Sequence, residues 1–273
     1  MTINLKGELI DLSQQKIMGI LNLTPDSFYD GGKFNSIDRA LNQTEKMITD
    51  GAFLIDLGAC STRPGADEVS EEEEKKRLYP ILEKLIDRFP NTHFSIDTYR
   101  ASIAKGSLSR GASMINDISG GQFDPAMMET VGRFSAPYVL MHIQGQPKEM
   151  HKDPAYKNVV QEVLYYFSEK IQQAYSLGIN DVIIDPGFGF GKTLQHNYEL
   201  IKNLELFQTL DQPLLVGVSR KSMIYKKLET TPDQALNGTT VLHTAAIIKG
   251  ANILRVHDIK EAKECIELLQ ALQ

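Results

Sequence analysis

The stretch VIIDPGFGFGKT, residues 182–193, shows the pattern that decides the fold of this chain. An apolar, strand-like run ends at Asp185, a polar residue suited to binding or catalysis, and a glycine-rich loop follows. Comparable runs recur along the chain, with mostly helical stretches between them. They end at Asn22, Asp56, Asp97, Asn116, His142, Asp185, Ser219 to Lys221, and Arg255 to His257. Alternation of strands and helices predicts a parallel sheet.

The number of these units predicts a closed barrel. Eight strand-helix units in 273 residues are typical of a (β/α)8 TIM barrel that forms a single domain over residues 1–273. An open, doubly wound sheet is the competing topology, and the eight units and the chain length favour the barrel. Because the C-terminal ends of parallel barrel strands surround one mouth, we expect one site built from residues far apart in the chain.

Composition narrows the classes of function. The net charge of -6 argues against nucleic-acid binding and against binding to a membrane surface, both of which need clustered basic residues. No signal peptide is visible, and no run approaches the roughly 18 apolar residues of a membrane span. Cys60 and Cys265 are far apart and lack zinc-site spacing. We therefore expect a reduced cytoplasmic protein.

The glycine-rich loop after Asp185 resembles two nucleotide-binding motifs, and its spacing excludes both. A phosphate-binding P-loop would need glycine where Pro186 stands, and in a dinucleotide fingerprint the third glycine would come one position later. The glycines instead allow a sharp bend, and Phe190 offers an aromatic face beside a carboxylate. That combination suits a flat heterocycle with adjacent N–H donors. Lys192 is interpreted as a solvated lysine, and the Glu71 to Glu74 block as a solvated helix start.

Three strand ends carry carboxylate or amide groups, namely Asp97, Asn116 and Asp185. One such residue alone would be read as a helix cap, as Asp97 beside Thr98 would be. Three of them at one barrel mouth predict recognition of a heterocycle.

A basic set suits phosphate oxygens, and its members are Arg63, Lys221, Arg255 and His257. Asn22 alone would be a turn former. Next to a bound polyphosphate it becomes a candidate magnesium ligand, because Mg²⁺ takes few protein oxygens and keeps phosphate and water as its other ligands.

Eight ordered motifs resemble the dihydropteroate synthase family, from about Met18 to the C-terminal helix: ILNLTPDSFYDGG, STRPGA, SIDT, INDISGG, MHIQGQP, DPGFGFGKT, VGVSRKSMI and ILRVHD. One departure is Ala59, where a glycine is expected. The resemblance implies a transferase of folate biosynthesis and a target of sulfonamides. The reaction would condense 6-hydroxymethyl-7,8-dihydropterin diphosphate with para-aminobenzoate, giving 7,8-dihydropteroate and pyrophosphate. The resemblance also implies a homodimer with Mg²⁺ as cofactor.

The resemblance further implies a role for individual residues. The pterin would be held by Asp97, Asn116, Asp185 and Lys221, and the diphosphate by Arg63, Arg255 and His257. Aminobenzoate would be surrounded by Thr62, Pro64, Phe190, Lys221 and Ser222, and Mg²⁺ bound by Asn22. Asp97, Lys221 and Arg255 would take part in catalysis.

Two alternatives share the predicted pterin site. A methyltetrahydrofolate-dependent methyltransferase has no need for Arg63, Arg255 and His257 around a diphosphate. A non-catalytic pterin-binding paralogue would be expected to lose a loop motif or Asn22, and all of these are present.

Overall fold

The computed structural model describes residues 1–23, 32–60, 69–146, 149–150 and 154–272, and of residues 32–35 it describes the backbone alone. Within these ranges the strands are β1 (Thr2–Leu5), β2 (Glu8–Asp11), β3 (Lys16–Asn22), β4 (Leu54–Gly58), β5 (His93–Asp97), β6 (Met114–Asp117), β7 (Tyr138–Met141), β8 (Val182–Asp185), β9 (Leu215–Val216) and β10 (Ile253–Val256). The helices are α1 (Gly32–Asp50), α2 (Glu71–Arg88), α3 (Ala101–Ser109), α4 (Met127–Arg133), α5 (Val159–Ser176), α6 (Leu194–Lys202), α7 (Ser222–Tyr225), α8 (Leu236–Ile248) and α9 (Ile259–Gln270). Two 3₁₀ segments, Leu204–Leu210 and Pro232–Gln234, complete the set.

Eight parallel strands form the barrel. Their order is β8-β7-β6-β5-β4-β3-β10-β9, and every pairing between neighbours is parallel. A parallel bridge between Ile184 and Leu214 joins the two outer strands, and the Ile184 N–H donates to the Pro213 carbonyl over 2.9 Å. The predicted (β/α)8 barrel is therefore confirmed, and the open sheet is wrong.

Side chains alternate between the two faces of each strand, and this alternation divides the apolar core into two parts. In β4, Ile55 and Leu57 pack in the large cluster shared with the helices, whereas Leu54 packs in a second cluster inside the barrel. The inner cluster takes one apolar residue from each of seven barrel strands: Met18, Leu54, Met114, Val139, Ile183, Leu215 and Ile253. Successive side chains of a strand face opposite sides, so residues two positions further along face the inside again.

An antiparallel hairpin of β1 and β2, which the sequence analysis did not anticipate, contributes to this inner cluster. Its two-residue turn consists of Lys6 and Gly7, both with positive φ (56° and 91°), as a type I′ turn requires. Four apolar side chains of the hairpin and the residue after it, Ile3, Leu5, Ile10 and Leu12, pack with the barrel interior. The hairpin thus enlarges the core at the end of the barrel remote from the strand C-termini.

Helix starts follow local capping, with two corrections to the sequence analysis. Ser70 caps α2 by accepting from the Glu73 N–H over 3.2 Å, as its spacing predicts. Glu74, however, is buried (1% exposed), so the Glu71–Glu74 block is not entirely solvated. In the sequence, Asp153 before Pro154 predicts a helix that begins at Pro154, and this prediction is wrong, because α5 begins after Asn158, whose Oδ1 accepts from the Gln161 N–H.

None of the helices in the described ranges combines the length and the apolar character needed to cross a lipid bilayer.

Candidate active site

Arg255, on β10, is held at the barrel mouth by two carboxylates. Its Nε donates to Asp56 Oδ2 and its Nη2 to Asp97 Oδ2, each over 2.7 Å. Asp56 is fully buried, whereas the Asp97 side chain retains 16% exposure. Asp97 therefore does not act as a helix cap, and the first N–H of α3, at Ala101, bonds to Asp124 instead.

Two carboxylates share one guanidinium in this cluster, and this arrangement affects the ionisation of Asp97. Burial raises the pKa of Asp97 to about 7, with Arg255 opposing the rise and the like charge of Asp56 adding to it. Burial works against the charge on Arg255, but Asp56 and Asp97 outweigh it and raise the pKa of the guanidinium. Arg255 stays cationic, and Asp97 titrates near neutral pH.

Asn116, on β6, lies beside this cluster. Its Nδ2 donates to Asp56 Oδ2 over 2.9 Å, and the residue is buried. The amide group is thus fixed by its donor end. Its side-chain carbonyl oxygen is not used in the bond to Asp56, so an acceptor remains for a ligand N–H.

Asp185 ends β8 and is almost fully buried. Its Oδ1 accepts from the Gly187 N–H over 2.8 Å. Burial raises the pKa of Asp185, and the cation of Lys221 opposes that rise. Gly187 has φ +69°, and a Cβ on it would lie 2.0 Å from the His142 carbonyl oxygen, so the chain turns here only with glycine.

Lys221 and Phe190 meet on the same side of the mouth. The Lys221 Nζ lies 4.7 Å from the centre of the Phe190 ring and donates to the Phe188 carbonyl. A Cβ on Gly217 would lie 3.8 Å from both Lys221 Nζ and Arg255 Cβ, so the lysine reaches across a glycine towards the arginine. Burial lowers the pKa of Lys221 to about 8, and Asp185 opposes this change.

Lys192 is not a solvated lysine, and the sequence interpretation was wrong. It is 4% exposed, and its Nζ lies 3.0 Å from His142 Nδ1. The same ammonium donates to the carbonyls of His142 (3.2 Å), Gly187 (3.0 Å) and Phe190 (2.9 Å). Burial lowers the pKa of Lys192 to about 7. This side chain fastens the glycine-rich loop to the end of β7.

The last two strands bring further predicted residues to the rim. His257 follows β10, is exposed, and its backbone N–H donates to Ser219 Oγ over 3.2 Å. Ser222 opens α7, which is a single turn. Arg220 points away from the site, since it forms a two-pronged ion pair with Asp258, each contact being 2.8 Å.

Asn22 ends β3 on the other side of Gly58. A Cβ on Gly58 would lie 3.7 Å from Asn22 Oδ1 and 3.7 Å from Asp97 Oδ2, so the missing side chain leaves room between two oxygens. The described residues contain no cluster of three or more His, Cys, Asp or Glu with metal-site geometry. An amide oxygen beside open space nevertheless fits Mg²⁺, which can take its other ligands from phosphate and water.

Thr62, Arg63 and Pro64 lie outside the described residues, so their predicted roles stay predictions. The residues that flank them are tied together by Arg100, which the sequence analysis missed. Its Nη2 donates to the Val69 carbonyl over 2.6 Å, and its Nη1 lies 3.5 Å from Cys60 Sγ.

Arg100 also pairs with the buried Glu74, which accepts from Thr98 Oγ1 over 2.8 Å. No sequence signal marks this pair, because Arg100 is a helix flank and Glu74 belongs to a charge run. Their contact joins α2 to the loop after β5.

Comparisons with known proteins agree on one family. The model of the family described as pterin binding enzyme matches residues 18–257. The dihydropteroate synthase of Haemophilus influenzae is 45% identical over 267 residues, which are 97% of this chain and 96% of that protein. The corresponding enzyme of Escherichia coli is 44% identical over 268 residues, covering 97% of this chain and 94% of its own length.

Solved structures give the same result. A Yersinia pestis dihydropteroate synthase in a sulfonamide drug complex superposes with a TM-score of 0.93 at 43% identity, covering 100% of this chain and 99% of its own. A Thermus thermophilus dihydropteroate synthase in complex with 4-aminobenzoate gives a TM-score of 0.91 at 36% identity, with 100% of both chains covered.

Proposed function

The chain belongs to the dihydropteroate synthase family of pterin-binding enzymes, and we propose that it condenses 6-hydroxymethyl-7,8-dihydropterin diphosphate with para-aminobenzoate. It is a transferase, and its products are 7,8-dihydropteroate and pyrophosphate. Neither a methyltransferase nor a non-catalytic paralogue is supported by the comparisons. The observation that carries the proposal is the buried set of acceptors at the strand ends beside two cations, Lys221 and Arg255.

The pterin ring is matched by the residues of β5, β6 and β8. A carboxylate at Asp185 faces the adjacent N–H donors of a pterin, and the free acceptor of Asn116 serves another ring N–H. Asp97 is held by Arg255 at 2.7 Å and can offset positive charge that develops on the ring. Burial of these groups means that an unfilled hydrogen bond is costly, so they select for a ligand with matching donors.

The reaction exchanges one bond at the pterin methylene carbon. The C–O bond to the diphosphate breaks, and its electron pair leaves with pyrophosphate. The aniline nitrogen of aminobenzoate then forms the new C–N bond and loses one proton. Positive charge builds on the pterin and negative charge on the leaving group, and Asp97 and Arg255 stand where each can be stabilised.

The diphosphate belongs with the basic residues of the last strand. Arg255 uses Nε and Nη2 on its two carboxylates, and Nη1 has no partner among the residues the structure describes. His257 is exposed at the same rim, and Arg63 is assigned here by resemblance. Asn22 would hold Mg²⁺, which when bound lowers the cost of the negative charge on the departing pyrophosphate.

Aminobenzoate is assigned to the other side of the mouth. Phe190 presents a ring face, and Lys221, 4.7 Å from its centre, carries a charge that suits a carboxylate. Ser222 lies next to it at the start of α7. Thr62 and Pro64 complete this pocket by resemblance.

The proposed function is tested by pyrophosphate release from the pterin diphosphate. Release should require both para-aminobenzoate and Mg²⁺, and pteroate should form in equal amount. A methyltransferase would release no pyrophosphate, and a binding paralogue would bind the pterin without turnover. Release that continues without para-aminobenzoate would contradict the proposal.

We also propose that the chain forms a homodimer through α8 and α9, which pack against each other. These helices expose large apolar side chains, with Val241 58%, Ile248 69% and Leu268 69% exposed. Exposed large apolar side chains on two neighbouring helices support association through this face. Light scattering should give twice the mass of 30.5 kDa, and Val241→Asp should shift it to the monomer. A cytoplasmic location remains a prediction from the sequence.

A further inference from the structure

Four barrel strands carry the same three-residue pattern, in which two apolar residues precede a polar one. These triplets are Leu54-Ile55-Asp56, Met114-Ile115-Asn116, Ile183-Ile184-Asp185 and Ile253-Leu254-Arg255. The first residue of each packs in the inner apolar cluster. The third faces the inside again, because side chains alternate along a strand.

The four strands, β4, β6, β8 and β10, alternate with β5, β7, β9 and β3 around the barrel. In such barrels the side chains of alternate strands form one layer. The polar layer above the apolar one thus consists of Asp56, Asn116, Asp185 and Arg255. Three of them are assigned above to the substrate, and Asp56 has no assigned role.

Asp56 is bonded to its neighbours in the layer on both sides. Its Oδ2 accepts from Asn116 Nδ2 over 2.9 Å and from Arg255 Nε over 2.7 Å. The partners stand on β6 and β10, each two strands away from β4 in opposite directions. Asp56 has no exposed surface, so it contacts both groups from within the layer and is itself closed to the mouth.

Stability alone is a poor explanation for this carboxylate. Its Oδ1 has no hydrogen-bond partner among the described residues. The hydroxyl of Ser95, the residue of β5 that pairs with Asp56 in register, has none among them either. Burying an ionised group with an unfilled acceptor is costly, and buried ion pairs often contribute little net stability. What the two bonds do provide is a fixed orientation for Arg255 and Asn116.

We propose that Asp56 is a positioning residue of this reaction, which holds Arg255 and Asn116 in the orientation that meets the substrate. Asp56 itself does not touch the substrate. This inference rests on the proposed function of the same site.

The test is a double-mutant cycle between Asp56→Asn and Arg255→Ala. Asparagine keeps the shape of Asp56 and removes its charge, so the charge-assisted bond to Arg255 weakens. We expect kcat/KM for the pterin diphosphate to fall about tenfold to a hundredfold. In the Arg255→Ala background the same change should cost less than about threefold, since a positioning residue loses its effect when its partner is absent.

Ser95→Ala is the matched control. Ser95 is equally buried and stands beside Asp56, but it makes neither of the two bonds. It should keep kcat/KM within about twofold of the parent, with changes of that size being usual for sites away from such networks. A loss in Ser95→Ala equal to that in Asp56→Asn would show that packing is responsible and would overturn the proposal, as would multiplicative losses in the cycle.

The cycle is also measured as dissociation constants for the pterin diphosphate, which separates the two proposals. If the parent protein binds this ligand but releases no pyrophosphate, the proposed function is wrong. The coupling between Asp56 and Arg255 is then still obtained from the dissociation constants. Circular dichroism checks that each variant folds. If Asp56→Asn does not fold, Asp56→Ser, which keeps one acceptor, takes its place in the cycle. If neither variant folds, Asp56 serves folding alone and the proposal is overturned.

Discussion

Replacing Asp97 with asparagine should remove a pH dependence from the stability of the ligand-free protein. The carboxyl has a pKa of about 7 in the folded state, against an ordinary value of 3.8, because burial and the nearby Asp56 favour its neutral form. Between these values the folded state binds more protons than the unfolded state, so the free energy of unfolding falls as the pH rises. Below pH 3.8 and above about pH 7, Asp97 no longer makes the free energy of unfolding change with pH.

The size of the effect follows from the shift. About three pKa units at 1.36 kcal/mol each give an upper limit of about 4 kcal/mol across this window. The Asp97 side chain keeps 16% exposure, so we expect roughly half of that limit or more. Asparagine cannot ionise and should lack this loss.

Urea unfolding at pH 5, 6, 7 and 8 measures the effect in wild type and Asp97→Asn. The variant should gain stability relative to wild type as the pH rises from 5 to 7, and the gap should level off above pH 7. Asp87→Asn, on an exposed position of α2, is the control and should follow wild type. Parallel curves for wild type and Asp97→Asn would refute the raised pKa and with it the charge balance described around Arg255.

Three further changes test single contacts. Asp185→Asn places an N–H opposite the N–H donors of the ligand and of Gly187. Because an unpaired buried polar group costs about 1 to 3 kcal/mol, calorimetry should show pterin affinity reduced at least about tenfold. Near-normal affinity would show that Asp185 does not bind the pterin. Arg255→Ala should weaken the diphosphate substrate more than a pterin without phosphates, by roughly 1.5 to 3 kcal/mol, and equal losses in titration would assign Arg255 to the ring. Lys192→Met leaves the His142 and Phe190 carbonyls unpaired, whereas the Gly187 carbonyl still accepts from the Phe190 N–H, and the free energy of unfolding in urea should fall by about 2 kcal/mol. The exposed Lys202→Met should leave it unchanged, and equal stability in both variants would show that water replaces the ammonium.

The barrel was predictable because its signals are local. Most barrel strands end within one residue of the point where an apolar run meets a polar residue, and that change is visible within four or five residues. The β1–β2 hairpin was not predicted because its turn depends on positive φ angles at both Lys6 and Gly7. Of these two residue types, only glycine indicates a positive φ in the sequence. The start of α5 was predicted too early because Asp153-Pro154 and Asn158 are both acceptable helix starts in the sequence, and in the structure it is Asn158 that accepts from the Gln161 N–H.

The buried charges could not be read from the chain. Lys192 belongs to a loop motif, yet its three carbonyl partners come from β7 and from the loop itself after the chain has folded back. Glu74 looks like any member of an acidic run, and it is buried because Arg100, 26 residues away, reaches it. Contacts between distant segments decide the burial of such groups, and residue type alone does not.

Burial and hydrogen-bond partners separate Asp56 from the other polar residues that close an apolar run. The sequence pattern treats Asp56 and Asp185 alike, as polar residues after an apolar run. In the structure β8 ends at Asp185, whereas β4 continues to Gly58, so Asp56 stands two residues below the end of its strand. Asp185 is 5% exposed at the mouth, whereas Asp56 is fully buried and its two bonds go to side chains of its own layer, Arg255 and Asn116. The same residue type therefore serves as a ligand contact on one strand and as a support for Arg255 and Asn116 on another, and the two hydrogen bonds that Asp56 accepts make the difference.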